Sequence, residues 1–430
     1  MREKPVTAQE PDLSTQVAGV RFQSPLVVSS SECTADLDLV QRLCQGPVGA
    51  LVTKTFTSNP AHKVRVRPYQ FPLRALGKGF REGKALYSLA APHVEDLDAW
   101  CRKISHMADL SQRGGVVLVA SFFEEPDAVD LWVETARRLE AAGPAMLELN
   151  FSCPHVSQIL TRGFETAVRI LEAVLKIAAV PVGVKIGPTL EPLESAAAAL
   201  ENAGAAFLTA HNAPGGIVVD VEREEPFGAP AIGGYAPGRA FLPMSLARVV
   251  RIRKAASIPV VGVGGVSNHR DALQYLLVGC PLVGVGSALY FDGPVLMERM
   301  HRGLAGWMTK KGYESLEDVI GRVFPRIENA AALGAREPYP YTVPPDGPYV
   351  PKADALACTA CGACVRGCIY GALEISEAGC AEVDADRCWS CGFCVGVCPE
   401  GALSLRDRRD PDRVVWSNRG TARSFVESTS

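Results

Sequence analysis

An excess of positive charge is missing from this chain: 44 Lys and Arg are set against 47 Asp and Glu in 430 residues, a formal net charge of -3. No run of Lys or Arg forms a stripe, so a nucleic-acid surface is excluded. Long apolar runs are absent as well. No stretch reaches the roughly 18 apolar residues that span a bilayer, and the opening MREKPVTAQEPDLS has no apolar core of signal-peptide length. A cytoplasmic protein with neither nucleic acid nor membrane as partner is expected. The third absence is a G-x-G-x-x-G turn between a strand and a helix with an acidic residue downstream, which leaves NAD(P)H without an evident site.

What is present points to two folded units. Hydrophobic residues make up 47% of the chain and charged ones 21%. That suffices for one large core and leaves about a hundred residues for a smaller domain. Between residues 25 and 290 one pattern repeats: a short β-branched run, a polar turn, then an amphipathic stretch rich in Ala, Leu and Arg. This is βα alternation. The expected strands are 25–31, 50–56, 116–122, 146–152, 182–186, 207–212, 259–265 and 282–288. They end in Ser30, Lys54, Ser121, Asn150, Lys185, Asn212, Gly264 and Ser287, polar or glycine residues where barrel enzymes collect their chemistry. Any one of these could be an ordinary strand-terminating turn residue; eight together favour a closed (β/α)8 TIM barrel over an open sheet. The segments LMERMHRGLAGWMTKKG and SLEDVIGRVF are expected to complete it. The expected layout is a barrel over 1–326, a Pro-rich linker over 327–352, a cysteine domain over 353–406 and a polar tail over 407–430.

Nine of the fourteen cysteines fall between Cys358 and Cys398, and clustering of that kind in a cytoplasmic chain signals metal rather than disulfides. Two runs, CTACGACVRGC and CWSCGFCVGVC, both read C-x2-C-x2-C-x3-C, the spacing of bacterial two-cluster ferredoxins. In that arrangement three thiolates of one run and the fourth of the other hold each 4Fe-4S cubane. Cys358, Cys361, Cys364 and Cys398 are therefore expected on one cluster, and Cys388, Cys391, Cys394 and Cys368 on the other. Tetrahedral zinc is the competing reading, but it would leave four of the eight thiols without a role. Ile369 stands where Pro usually follows the last Cys, and Cys380 fits neither run and reads as a packed thiol.

The run ELNFSCPH places Asn150, Ser152 and Cys153 at the end of the fourth strand, beside two strand-end lysines, Lys54 in TKTF and Lys185 in GVKIGP. Over residues 17–305 these motifs resemble the dihydroorotate and dihydropyrimidine dehydrogenase flavoproteins. A barrel followed by a two-cluster ferredoxin domain resembles, over nearly the whole chain, the bacterial dihydropyrimidine dehydrogenase iron-sulfur subunits. The resemblance implies FMN and two 4Fe-4S clusters as cofactors, with Cys153 as the general acid/base and Lys54 and Lys185 beside the flavin. Hydride exchange at flavin N5 requires the neighbouring carbon to gain or lose a proton, and a thiol of tunable pKa suits that task. Ser30, Thr55, Ser121, Asn150 and Asn212 would line the cofactor. Phosphate would rest on backbone N–H groups of GVGGVSN and GVGSA, at Gly264, Gly265, Gly286 and Ser287. Gly234 to Gly238, in GGYAPGR, match the family loop G-G-x-S-G with Pro237 in place of Ser.

The departures concern substrate. Ser88 stands where the pyrimidine enzymes have Asn, Asn212-Ala213 replaces Asn-Thr, and the loop after Cys153 reads VSQILTRG without a Gly-rich lid. Ser88, Asn150, Ser152, Asn212 and Ala213 are the expected substrate contacts, and the lost amide partners disfavour a uracil ring. His155 and His211 are further candidates. The expected activity is oxidation or reduction across a C–C/C=C bond of a cyclic amide-like ring, pyrimidine or not. A separate NAD(P)- and FAD-binding subunit or a ferredoxin would exchange the electrons, and a homo-oligomer is expected. The alternatives are an electron-transfer subunit whose barrel only relays electrons, and a flavin-free barrel lyase or isomerase.

Overall fold

The computed structural model describes residues 10–63, 70–72, 84–152, 164–226, 232–328 and 348–418. Two compact units divide between Ile327 and Glu328. In the first, eight parallel strands close into a barrel: β1 (Leu26–Val28), β2 (Ala50–Val52), β3 (Val117–Phe122), β4 (Met146–Asn150), β5 (Val182–Ile186), β6 (Leu208–Ala210), β7 (Val260–Val263) and β8 (Leu282–Val285). Each strand pairs with its neighbours in sequence, and β8 returns to β1 with Gly284 opposite Val27. All eight expected strands are present, in the expected order.

Strand alternation sorts the side chains. The outward positions join helix residues in the main core, as Leu26, Leu51, Leu118, Leu147 and Val184 do. The helix Leu97–Arg113 shows why these stretches are helical. Asp96 caps it by accepting from Ala99 N, and Trp100, Ile104, Met107 and Ser111 recur on one buried face. The inward positions make a second, smaller core from Val27, Ala50, Val52, Val117, Val119, Met146, Phe207, Val261 and Leu282. A hairpin, Thr15–Val17 with Val20–Phe22, adds Val17 and Phe22 to this cluster and plugs the barrel floor. Gly183 is required here. A Cβ on it would lie 2.2 Å from the ring of Phe207, which crosses the barrel over that glycine.

Past the C-terminal ends of the strands, loops build a small antiparallel sheet in the order Gly215–Gly216, Gly233–Ala236, Leu86–Ser88, Gln70–Pro72. Val295–Lys311 is helical as expected, and SLEDVIGRVF follows it. It forms two short 3-10 turns, Leu316–Asp318 and Phe324–Arg326, separated by Gly321 at φ +81°. Among the described residues no helix is long and apolar enough to cross a membrane.

In the second unit a three-stranded sheet (Tyr349–Ala353, Leu403–Asp407, Val414–Ser417) and a hairpin (Leu373–Ile375 with Ala381–Val383) carry two one-turn helices, Ala363–Gly367 and Phe393–Val397. Each helix begins inside a cysteine run after a left-handed glycine, Gly362 at φ +69° and Gly392 at φ +77°. Two compositional expectations need correction. The segment taken as linker ends in a strand, and Pro351 is tolerated because that strand lies at the sheet edge. The segment taken as tail supplies the opposite edge strand, because Val415 is buried and the Trp416 ring covers Gly392 and Gly396.

Candidate functional site

At the barrel mouth the inward positions turn polar. Ser121, Glu148 and Thr209 stand one layer above the apolar floor, all at least 95% buried. Glu148 accepts from Ser121 Oγ at 2.9 Å and from Thr209 Oγ1 at 2.7 Å. An ionised carboxylate only accepts, so it sets the sense of the hydroxyls above it. With its proton committed to Glu148, Ser121 Oγ accepts from Thr55 Oγ1 at 2.9 Å. Thr55 Oγ1 then accepts from Asn150 Nδ2 at 2.9 Å and from Ser30 Oγ at 3.0 Å, while Ser30 Oγ accepts from Thr55 N. The amide of Asn150 is thereby oriented: its Oδ1 receives Ser152 N at 3.1 Å and Ser152 Oγ at 2.5 Å. Asn212 Nδ2 donates to Ser152 O at 3.3 Å, and Asn212 Oδ1 accepts from Ala213 N.

One network therefore joins Ser30, Thr55, Ser121, Asn150, Ser152, Asn212 and Ala213, residues from five strand ends. Glu148→Gln is expected to lower barrel stability by about 1–3 kcal/mol, because Ser121 and Thr209 donate to different carboxylate oxygens and an amide would turn its NH2 toward one of them. The denaturant midpoint of the barrel transition measures this; an unchanged midpoint would show that the network tolerates either sense.

Lys54, two residues past β2, and Lys185, near the end of β5, are 8% and 7% exposed. Lys54 Nζ lies 3.0 Å from the carboxylate of Glu32, whose backbone N–H donates to Tyr290 Oη. Burial pushes the Tyr290 phenol up to about 12, which keeps it a neutral partner. Lys185 stands opposite Asn150 in the β4–β5 register. Cys153 and His155 lie outside the described residues, directly after Ser152. Ser88 is set in the small sheet opposite Gly234, its Oγ accepting from Ala90 N. His211 is turned edge-on to Phe241, its Nδ1 2.7 Å from Asn212 O. Burial holds its imidazole down at about 4, so it is neutral and packed rather than a cation for substrate.

Gly264 and Gly265 follow β7 at φ +135° and +73°, and a Cβ on Gly265 would lie 2.6 Å from Leu242 N. Gly238, at φ +66°, opens the short helix Gly238–Phe241 that leads to Leu242. Gly286 and Ser287 follow β8, with Ser287 directly before the short helix Ala288–Asp292. A turn that presents backbone in place of side chains suits a phosphate. Between β8 and β1 the Ser29 hydroxyl is buried without a hydrogen-bond partner, unmet capacity beside the same turns. These features fit a phosphorylated, polar ring cofactor.

In the second unit the eight cysteines gather in two groups that cross the runs. A hollow of about 420 Å³ is lined by Cys368, Cys388, Cys391 and Cys394, and a smaller one by Cys358, Cys361, Cys364 and Cys398. Ala372 N donates to Cys368 Sγ and Ala402 N to Cys398 Sγ. Among the described residues no three His, Cys, Asp or Glu side chains are gathered closely enough to hold a single metal ion. Cys380 is not packed in a core; its thiol is within hydrogen-bonding reach of Cys358.

Sequence reasoning missed Glu32, Glu148 and Thr209. The signal for Glu148 was available: a carboxylate in an apolar strand, at the same parity as Asn150. A family model described as dihydroorotate dehydrogenase matches residues 83–308, and one described as a 4Fe-4S dicluster domain matches 357–402. The chain is similar to the catalytic subunit of dihydroorotate dehydrogenase B (NAD(+)) from Geobacter sp. (strain M21), 29% identical over 73% of this chain and 98% of that relative. The subunit of the same name from Methanothermobacter thermautotrophicus is 27% identical over 72% and 97%.

Proposed function

Since the chain belongs to the dihydroorotate dehydrogenase family, we propose that it is an FMN- and iron-sulfur-dependent oxidoreductase acting across a C–C/C=C bond of a cyclic amide-like substrate, as dihydropyrimidine dehydrogenases do. The observation that carries this reading is the polar layer of the barrel mouth, where one oriented network runs through Asn150 and two buried lysines stand at strand ends. FMN, when bound, supplies a hydride acceptor or donor at N5. Its phosphate would be held by Gly264, Gly265, Gly286 and Ser287, with Gly238 beneath the turn. Ser30, Thr55, Ser121, Asn150 and Asn212 present hydrogen-bonding groups to the ring, and Lys54 and Lys185 supply positive charge near it. Ser88, Asn150, Ser152, Asn212 and Ala213 would contact substrate. In the oxidative direction the Cys153 thiolate takes the proton from the carbon next to the one that loses hydride; in the reductive direction its thiol returns it.

Cys358, Cys361, Cys364 and Cys398 would hold one 4Fe-4S cluster and Cys368, Cys388, Cys391 and Cys394 the other, and electrons would pass through them. Because no dinucleotide fingerprint is present in the sequence, the partner is taken to be a separate NAD(P)- and FAD-binding subunit or a ferredoxin. The relatives' designation as catalytic subunits supports the first. Anaerobically purified protein should carry about one FMN, eight iron and eight acid-labile sulfide per chain. Elemental analysis and the visible spectrum check this. Zinc in place of iron would remove the cluster assignment, and a flavin-free barrel would leave a lyase or isomerase as the better reading.

A further inference from the structure

We infer that Glu32 is a specificity-determining residue that selects rings without a carboxylate substituent; the inference rests on the flavoenzyme reading above. Lys54 is a cation at a strand end of the mouth, 8% exposed, and a natural partner for an anionic substrate group. Its ammonium is already engaged, because the Glu32 carboxylate lies 3.0 Å away. Glu32 sits in the turn that follows β1, with its side chain one-third exposed and its backbone N–H donated to Tyr290 Oη. The Glu32 carboxylate thus pairs with Lys54 while staying partly open to solvent, on a backbone that Tyr290 anchors.

Charge bookkeeping in the mouth leads the same way. Among the described residues, two lysines, Lys54 and Lys185, stand with two carboxylates, Glu32 and, one layer down opposite Gly183, Glu148. These four sum to zero. A ring carboxylate entering this space would lose its hydration, find Lys54 shared with Glu32, and meet Glu32 as a like charge at close range. An uncharged cyclic amide pays none of these penalties. It can use the amide of Asn150 and the hydroxyl of Ser152, which are neutral donors and acceptors.

Uracil and orotate differ by one carboxylate, which makes them the matched probes. The full-length holoprotein and its Glu32→Gln variant are titrated with each by calorimetry, after the visible spectrum has recorded bound flavin. In the wild type, orotate should bind at least about tenfold more weakly than uracil. In Glu32→Gln, orotate affinity should rise at least about tenfold, with uracil affinity changed less than about threefold. Glu32→Ala should move orotate in the same direction and serves if the glutamine variant folds poorly. The inference is overturned if orotate binds the wild type as tightly as uracil does, if removing the carboxylate leaves orotate affinity unchanged, or if orotate fails to bind the variants. Absence of flavin from the spectrum would count against the flavoenzyme reading instead; the titrations need no turnover and are read the same way.

Discussion

Cys153→Ser should leave FMN and both clusters bound and slow the substrate half-reaction by roughly two or more orders of magnitude, the usual contribution of a positioned acid/base. The hydroxyl is nearly isosteric with the thiol, so the loss is chemical rather than steric. An alcohol is a far weaker acid than a thiol, so near neutral pH almost none of it is in the form that accepts a proton. Ser152, the last described residue before it, is fixed by two hydrogen bonds to Asn150 Oδ1. Asn150 is in turn oriented through Thr55 and Ser121 from Glu148. That frame is built from Glu148, Ser121, Thr55, Asn150 and Ser152, and should survive the substitution. Stopped-flow flavin reduction by the dihydro substrate, across pH, is the measurement, with reduction by dithionite as the control. In the direction that consumes the thiolate, the variant's rate should climb as pH rises. A variant equal to wild type at every pH would take Cys153 out of the mechanism and raise the electron-relay reading above the enzymatic one.

The barrel is legible in the sequence because each strand is a short apolar run ending in a polar or glycine residue, and because both faces of a parallel strand are buried. Val117–Phe122 and Val182–Ile186 show no alternation and need none. The cysteine groups are legible for a different reason: their spacing encodes a crossing of the two runs that geometry must honour. Electrostatic pairing is not legible in this way. Glu32 follows β1 and Lys54 follows β2, and only closure of the barrel brings the two within 3.0 Å. The small sheet over the mouth escapes for a similar reason. Its four strands are two to four residues long and come from loops far apart in sequence, so no local periodicity announces them. In the C-terminal segment, abundant Arg and Asp mask the two residues that matter, Val415 and Trp416, whose burial makes a strand of what composition reads as tail.

Gly265→Ala should yield protein that keeps its iron and loses its flavin, with FMN affinity reduced roughly a hundredfold. Two costs coincide at this residue. Its φ of +73° is a left-handed conformation that a side chain disfavours by about 1–2 kcal/mol. The added Cβ would also lie 2.6 Å from Leu242 N and 2.8 Å from Leu242 Cα, backbone atoms that cannot rotate away as a side chain would. Relief requires moving the turn, the segment Gly238–Leu242, or both, and either movement withdraws the N–H groups on which a phosphate would rest. Gly264, at φ +135°, is likewise closed to a side chain, since a Cβ there would lie 2.2 Å from the hydroxyl of buried Ser245. The control is Gly306→Ala, on the helix Val295–Lys311, where nothing lies within 4 Å and the change should be neutral or mildly stabilising. The ratio of flavin to iron in purified protein is the readout, because the clusters belong to the second unit and report its folding independently. A Gly265→Ala protein that retains one flavin per chain would place the cofactor phosphate elsewhere than on the turn after β7.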